Sequence, residues 1–203
     1  DAINGPDAQA VLDVTESIAD GTLIGQGSPM YSTSARVNLF GPVTLYVHAT
    51  DVPEVNDSLA TATPTGIVGI DSRAFLGHGF VGDNENFPLR RGLDVDIFRV
   101  DLTAGATLRI DVDAFEIGSE LDAHVRVFDA AGNPAINALT VLPTVSDDAV
   151  GPLEYARLDP FLEFVPLRSG TYYIGVSGNG WQNNKYNADD NIAYDPTVEG
   201  SGV

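Results

Sequence analysis

The chain has 203 residues and no cysteine, and its 29 acidic residues against 10 basic ones give a formal net charge of −19. This charge repels nucleic-acid phosphates and anionic membrane surfaces, and the lack of cysteine excludes disulfides, zinc-thiolate sites and thiol catalysis. No apolar run is long enough to cross a bilayer, so we expect no membrane insertion. The acidic excess suits divalent cations, but a solvated acidic surface would explain most of it equally.

Apolar residues recur with the period of two that is typical of β-strands, and helical periodicity is almost absent. Clusters of Gly, Pro, Asn and Asp separate the alternating segments. This pattern predicts an all-β fold, an antiparallel β-sandwich or jelly roll. In chain order, the segments are 36–49, 92–102, 106–114, 121–128 and 170–176.

The organisation of the chain is uneven, and Pro53 marks a plausible boundary. Residues 1–52 have a strand pair of their own and a Gly- and Ser-rich stretch, so we predict an N-terminal β extension. Residues 53–203 read as one continuous sandwich domain. Because the sequence opens at Asp1 without Met, we interpret it as a piece of an exported protein.

The segment GLDVDIFRVDL, residues 92–102, places acids on a strand face that should enter the core. Side chains alternate between the two faces of a strand, so Asp94 and Asp96 share a face with Phe98, Val100 and Leu102. Two carboxylates roughly 7 Å apart repel by about 2 kcal/mol at an effective dielectric near 20. A cation between them would turn this repulsion into attraction.

Five segments in a fixed order resemble the bacterial pre-peptidase C-terminal domain family. They cover about residues 54–203 and read PEVNDSLATATPTGI, GDNENFPLRRGLDVDIFRVDLTAGATLRIDVDA, LDAHVRVFDAAGNP, DPFLEFVPLRSGTYYIGVSGNG and YDPTVEGSG. The resemblance implies a non-catalytic β-sandwich module attached to secreted or cell-surface bacterial proteins, with a structural or adhesive role. We therefore expect an extracellular location and no catalytic residues.

The resemblance also implies a calcium site where the entering linker meets the first strands. Carried over to this chain, the linker ligands are Glu54, Asn56 and Asp57, and the strand ligands are Asp94 and Asp96. Calcium takes six to eight oxygen ligands, and carboxylates and amide carbonyls are the hard donors that it prefers. Two departures matter here: some members space the strand acids more widely, and the longer stretch 72–88 adds Asp83 and Glu85 as candidates.

A second acidic group provides further candidate metal ligands in the loops near one end of the sandwich. The alternative is that each acid caps its own turn by accepting backbone N–H groups. The residues of this group are Asp122, Asp147, Asp148, Asp159 and Asp195.

Aromatic residues near the Asn-rich tail favour a rival function, the binding of a carbohydrate or of a fibrous protein. Trp181, Tyr186 and Tyr194 could stack on a ligand and donate hydrogen bonds to it. The alternative is that Trp181 anchors its own loop. A hydrolase is the least favoured function, because no serine, histidine or acid pair stands out by its spacing.

The resemblance further implies a closing strand after the Gly-Ser-Gly turn, and the sequence stops at Val203. A missing strand leaves an open edge of unpaired amides and carbonyls. Three alternatives follow: the chain was cut short, residues 36–49 fold back into the slot, or a neighbouring chain donates a strand. The last would produce self-association.

Overall fold

A computed structural model describes residues 9–15, 34–38, 44–48, 50–53, 55–69, 74–84, 86, 93–114, 119, 121–146, 151, 159–178 and 194–201. The strands within these ranges are β1 (Gln9–Thr15), β2 (Ser34–Asn38), β3 (Thr44–His48), β4 (Thr50–Asp51), β5 (Thr63–Gly69), β6 (Ala74–His78), β7 (Val95–Leu102), β8 (Thr107–Val112), β9 (Ala123–Asp129), β10 (Val145–Ser146), β11 (Phe161–Phe164) and β12 (Gly170–Gly178). The described residues contain no α-helix, and the all-β class predicted from the sequence is confirmed.

Two five-stranded sheets enclose the main hydrophobic core. The first sheet has the order β11-β8-β1-β6-β4, and the second has the order β10-β9-β12-β7-β5. Apolar side chains of both sheets meet between them, including Leu108 and Phe164 from the first and Val125 and Ile174 from the second. Because period-two alternation gives each strand one apolar face, stacking those faces removes them from water together.

The sheets are mixed rather than antiparallel throughout. Strands β7, β12 and β9 pair antiparallel, as the alternating segments predict. Strand β5, however, runs parallel to β7, and β1 runs parallel to both of its neighbours, β8 and β6. Parallel neighbours need crossover connections between strands that are distant in the chain, which local periodicity does not reveal.

Residues 9–15, and not residues 36–49, lie in the interior of the first sheet. Strand β1 hydrogen-bonds to β8 on one side and to β6 on the other. Among the described strands, β2 and β3 pair with each other as a separate hairpin. Two strands close in sequence lose little chain entropy when they pair, which favours a local hairpin over the alternative in which residues 36–49 fold back into the slot. The division of the chain at residue 52 stays a prediction.

Strand β7 has the two faces that its sequence predicts. Phe98, Val100 and Leu102 enter the core between the sheets, and the Phe98 ring lies 5.9 Å from that of Phe75 in the opposite sheet. Val95 and Ile97 point to the other side of the second sheet, where they belong to a smaller apolar cluster. The strand is therefore buried on both faces near its beginning, close to the acids that precede and follow Val95.

The segment 194–201 covers the smaller apolar cluster. The Tyr194 ring is 3 % exposed, packs edge-on against Phe128 at 5.5 Å and lies 5.6 Å from the Arg126 guanidinium. Two residues later, the Pro196 carbonyl accepts a hydrogen bond from the Leu59 amide at 2.8 Å. These contacts attach the segment both to the second sheet and to the turn that precedes β5.

Gly175 on β12 is the residue that lets Tyr194 approach the sheet. A Cβ atom at this position would overlap the Tyr194 hydroxyl oxygen and lie 2.9 Å from its Cζ. Gly178 on the same strand is different, since a Cβ there would lie 3.6 Å from the nearest atom, a methyl group of Leu121. The absence of a side chain is thus needed at one of these glycines and not at the other.

We predict that Gly175→Ala lowers the free energy of unfolding by about 1–3 kcal/mol, the usual cost of overpacking a filled site. Gly178→Ala, the matched control, should change it by far less. Adding Tyr194→Phe to Gly175→Ala should restore part of the loss, because it removes the atom nearest to the new methyl group. Urea denaturation of the four proteins measures this, and equal losses in the two alanine variants would contradict the packing described.

Candidate metal centre

The linker before β5 is hydrogen-bonded to the beginning of β7. The Ile97 amide donates to the Asn56 carbonyl at 3.0 Å, and the Val95 amide donates to Oδ1 of Asp57 at 3.3 Å. A turn at 58–61 follows, in which the Thr61 amide donates to the Ser58 carbonyl. The turn leads into β5, which pairs with β7, and Asn56 and Asp57 lie at the beginning of β7.

The loop 81–84 encloses Asp94. The amides of Gly82 and Asp83 both donate to Oδ2 of Asp94, the latter at 3.1 Å. Gly82 has a φ of +103°, a backbone conformation that residues other than glycine rarely adopt. On the other side, the Asn84 amide Nδ2 donates to Oδ2 of Asp57. This loop therefore joins the linker acid to the strand acid.

Asp57 and Asp94 form a buried carboxyl pair, with side chains 2 % exposed in each case. Burial, the hydrogen bond with Asp94 and the negative charge of Asp94 raise the pKa of Asp57 to about 7, in that order of importance. The Val95 amide opposes the rise, and the charge of Glu199 adds to it. In the absence of a cation, Asp57 therefore holds a proton at pH values below about 7, which it shares with Asp94 in a hydrogen bond.

Two side-chain oxygens, one in the linker and one in the loop 81–84, lack hydrogen bonds among the described residues. Oδ1 of Asn56 and Oδ1 of Asp83 are buried and accept no hydrogen bond from any residue that the structure describes. Buried oxygens in this state are costly unless a donor or a cation satisfies them. Both belong to residue types that coordinate calcium through such oxygens.

The other predicted ligands of this site are placed as follows. Asp96 is 1 % exposed and lies in register with Val176 of β12, on the same side of the strand as Phe98. Glu54 and Glu85 lie outside the described residues. Within the described ranges, no three histidine, cysteine or acidic side chains are already arranged to hold a metal ion. The carboxyl pair would therefore need amide or main-chain oxygens, or a further acid, to complete a coordination shell.

Comparison with known sequences gives one match, which covers β7 to β12. Residues 94–178 match the sequence model of the bacterial pre-peptidase C-terminal domain. This part of the chain is similar to domains of that family. Searches of curated proteins and of solved structures gave no match. Within the described ranges, no helix has the length and apolar character that a membrane span needs.

The matched part of the pre-peptidase C-terminal domain begins at Asp94 and ends at Gly178. It includes the strand acids and β7 to β12, whereas the linker and the segment 194–201 lie outside it. The candidate centre therefore combines Asp94, which lies inside the matched residues, with Asp57, which lies before them. Sequence reasoning missed Asn84, whose only signal is its place in the Asn- and Asp-rich stretch GDNEN.

Among the residues that the structure describes, the members of the second acidic group take part in no cluster that could hold a metal ion. Asp195 is exposed and accepts hydrogen bonds from the amide of Thr197 at 2.9 Å and from its hydroxyl at 2.6 Å, which lower the pKa of the Asp195 carboxyl. It caps its own turn, as the alternative interpretation states. Asp159 is fully buried and Asp122 partly so, and Asp147 and Asp148 lie outside the described residues.

The predicted aromatic ligand face is not present at Tyr194. Its ring is buried in the smaller apolar cluster, where burial also raises the pKa of the phenol. A buried ring cannot stack on a glycan or a fibrous protein without first leaving the sheet. Trp181 and Tyr186 lie outside the described residues.

We predict that, in EDTA, the pair makes the domain less stable as the pH rises. The folded pKa of Asp57 is about 7 and its ordinary value is 3.8, so the folded state holds a proton that the unfolded chain has released between about pH 4 and 7. The free energy of unfolding should fall across this window. Asp57→Asn should show a shallower fall in urea denaturation series, and identical pH slopes would contradict the shared proton.

Proposed function

We propose that the chain is a non-catalytic, extracellular calcium-binding module with a structural or adhesive role in a larger bacterial protein. The observation that carries this proposal is the buried Asp57 and Asp94 pair, contributed by the linker and by the head of β7. The family match supports the extracellular role, since domains of this family occur in secreted bacterial proteins.

Calcium suits the chemistry of the site better than softer metals do. The chain has no cysteine, and the side-chain oxygens available at and next to the pair belong to carboxyl and carboxamide groups. Zinc and copper prefer nitrogen and sulfur ligands, whereas calcium accepts a flexible shell of oxygens. The ligands that we propose are Asn56, Asp57, Asp83 and Asp94, with Asp96 and Glu54 as the further acids that the family resemblance adds.

Ion binding would replace the shared proton of the pair. A doubly charged cation removes the repulsion between the two carboxylates and satisfies buried oxygens that lack donors. The linker, the loop 81–84 and β7 would then be tied together by one ion. Because the ion binds only the folded state, it stabilises that state by mass action, by about 2.7 kcal/mol at one hundred times its dissociation constant.

The arrangement of serine and histidine gives little support to a hydrolase. The register places Ser177 of β12 beside His124 of β9, a proximity that the sequence did not reveal. Both side chains are more than nine-tenths buried, at 5 % and 7 % exposure. A nucleophile at this depth is not presented to a macromolecular substrate.

We predict that calcium raises the melting temperature of EDTA-treated protein by about 5 °C or more, the shift that a few kcal/mol produces in a chain of this size. Asp94→Asn should abolish most of the shift. Asp101→Asn is the matched control, because Asp101 lies on the same strand but pairs with Arg99 at the surface. Differential scanning fluorimetry with calcium titration measures this, and a wild-type melt unchanged by calcium would refute the proposal.

A further inference from the structure

The carboxyl pair is short of acidic ligands in its present arrangement. Two carboxylates are buried together, but no third acid among the described residues is in place to form a metal-binding group with them. Calcium sites usually contain several charged oxygens, and the number of charges sets their affinity. An acid that could join the pair through a small movement would therefore be decisive for affinity.

Glu199 is connected to the pair by a chain of hydrogen bonds. Its Oε1 accepts from Nδ2 of Asn86 at 2.6 Å, and the Asn86 amide donates to Oδ1 of Asn84 at 2.8 Å. Asn84 in turn donates to Asp57. The charge of Glu199 also acts directly on the Asp57 carboxyl. The Glu199 side chain is exposed, so it can change its rotamer without disturbing the packed core.

The backbone that carries Glu199 is already shaped and anchored. The Val198 amide donates to the Asp195 carbonyl at 2.9 Å, and the Ser201 hydroxyl donates to the same carbonyl at 2.7 Å. The buried Tyr194 ring attaches the beginning of this segment to the sheet, and the Pro196 carbonyl accepts a hydrogen bond from the Leu59 amide. Little further chain entropy would be lost if the glutamate were drawn inward.

A second observation concerns a buried oxygen in the linker that accepts no hydrogen bond from the residues described. Asn56 is 1 % exposed, and its Oδ1 accepts no hydrogen bond from the residues described, although its Nδ2 reaches the Thr63 hydroxyl at 3.5 Å. This oxygen stands next in sequence to Asp57. Its isolation does not follow from the acidity of the cluster, and a cation would satisfy it.

We propose that Glu199 is a further ligand of the cation, and that the ion fastens the segment 194–201 to the linker and to the head of β7. This inference rests on the proposed calcium site. It adds a ligand that lies outside the residues matched by the family model. The ion then joins four parts of the chain, at 56–57, at 82–84, at 94 and at 199.

The test uses the whole chain, calcium chloride and three variants. Isothermal titration gives the affinity of the wild type, Glu199→Gln, Glu199→Asp and Glu163→Gln. The last removes the same charge from edge strand β11, where Glu163 forms a half-exposed pair with Arg109. Hydrogen exchange of the segment 194–201, with and without calcium, reports whether the ion fastens it.

We expect Glu199→Gln and Glu199→Asp to weaken calcium binding by about tenfold or more, since a direct ligand needs both its charge and its reach. Both should lose the calcium-dependent protection of 194–201, and Glu163→Gln should behave as the wild type. Wild-type affinity in Glu199→Asp would overturn the inference, because the charge would then act only at a distance. Unchanged affinity in Glu199→Gln would also overturn it while leaving the calcium site intact. A wild type that binds no calcium would overturn both proposals.

Discussion

The proximity of the Asp57 and Asp94 carboxyls is the constraint on which the organisation of this end of the sandwich depends. Two acids are held together away from water by amides of Gly82, Asp83 and Val95 and by the side chain of Asn84. Such an arrangement is unfavourable for two full negative charges, so a proton or a cation must accompany them. Every backbone segment that supplies a donor is thereby linked to the charge state of the pair.

This constraint explains why the linker is packed as tightly as the strands. Asn56, Asp57 and Ser58 are buried although all three are polar. Polar residues are tolerated at such depth only when their hydrogen bonds are made, and most of theirs are, through β7, the loop 81–84 and the turn to Thr61. Oδ1 of Asn56 and Oδ1 of Asp83 accept no hydrogen bond from the part of the chain that the structure describes, so a cation could complete the network there.

Local pattern predicts what local physics determines. The period-two alternation places Phe98, Val100 and Leu102 in the core correctly, because side-chain direction in a strand depends on parity alone. It also draws attention to Asp94, because the same parity places this charged residue on a face that is otherwise apolar. The family resemblance, and not the alternation, names Asn56 and Asp57 as its partners from the linker.

Contacts between distant segments are what local pattern leaves open. Strand β1 enters the first sheet between two strands that follow it by some sixty to one hundred residues, and nothing in its own seven residues specifies those neighbours. The same holds for Asn84, whose contact with Asp57 is not visible in the turn-forming stretch GDNEN, and for His124, which is buried beside Ser177 of β12. In each case the deciding interaction is made by residues remote in the chain.

Tyr194 shows how such a remote contact can change a functional interpretation. An aromatic residue in an Asn-rich tail is typical of a ligand face, but here the ring occupies the space that Gly175 leaves open above β12. Its burial anchors the segment that carries Glu199, so the ring that seemed to offer a binding surface instead supports an acid near the carboxyl pair. The segment 194–201 is hydrogen-bonded to the linker, through the Leu59 amide and the Pro196 carbonyl, and to Asn86, which follows the loop 81–84, through Glu199. The segment and the carboxyl pair are therefore parts of one structural unit.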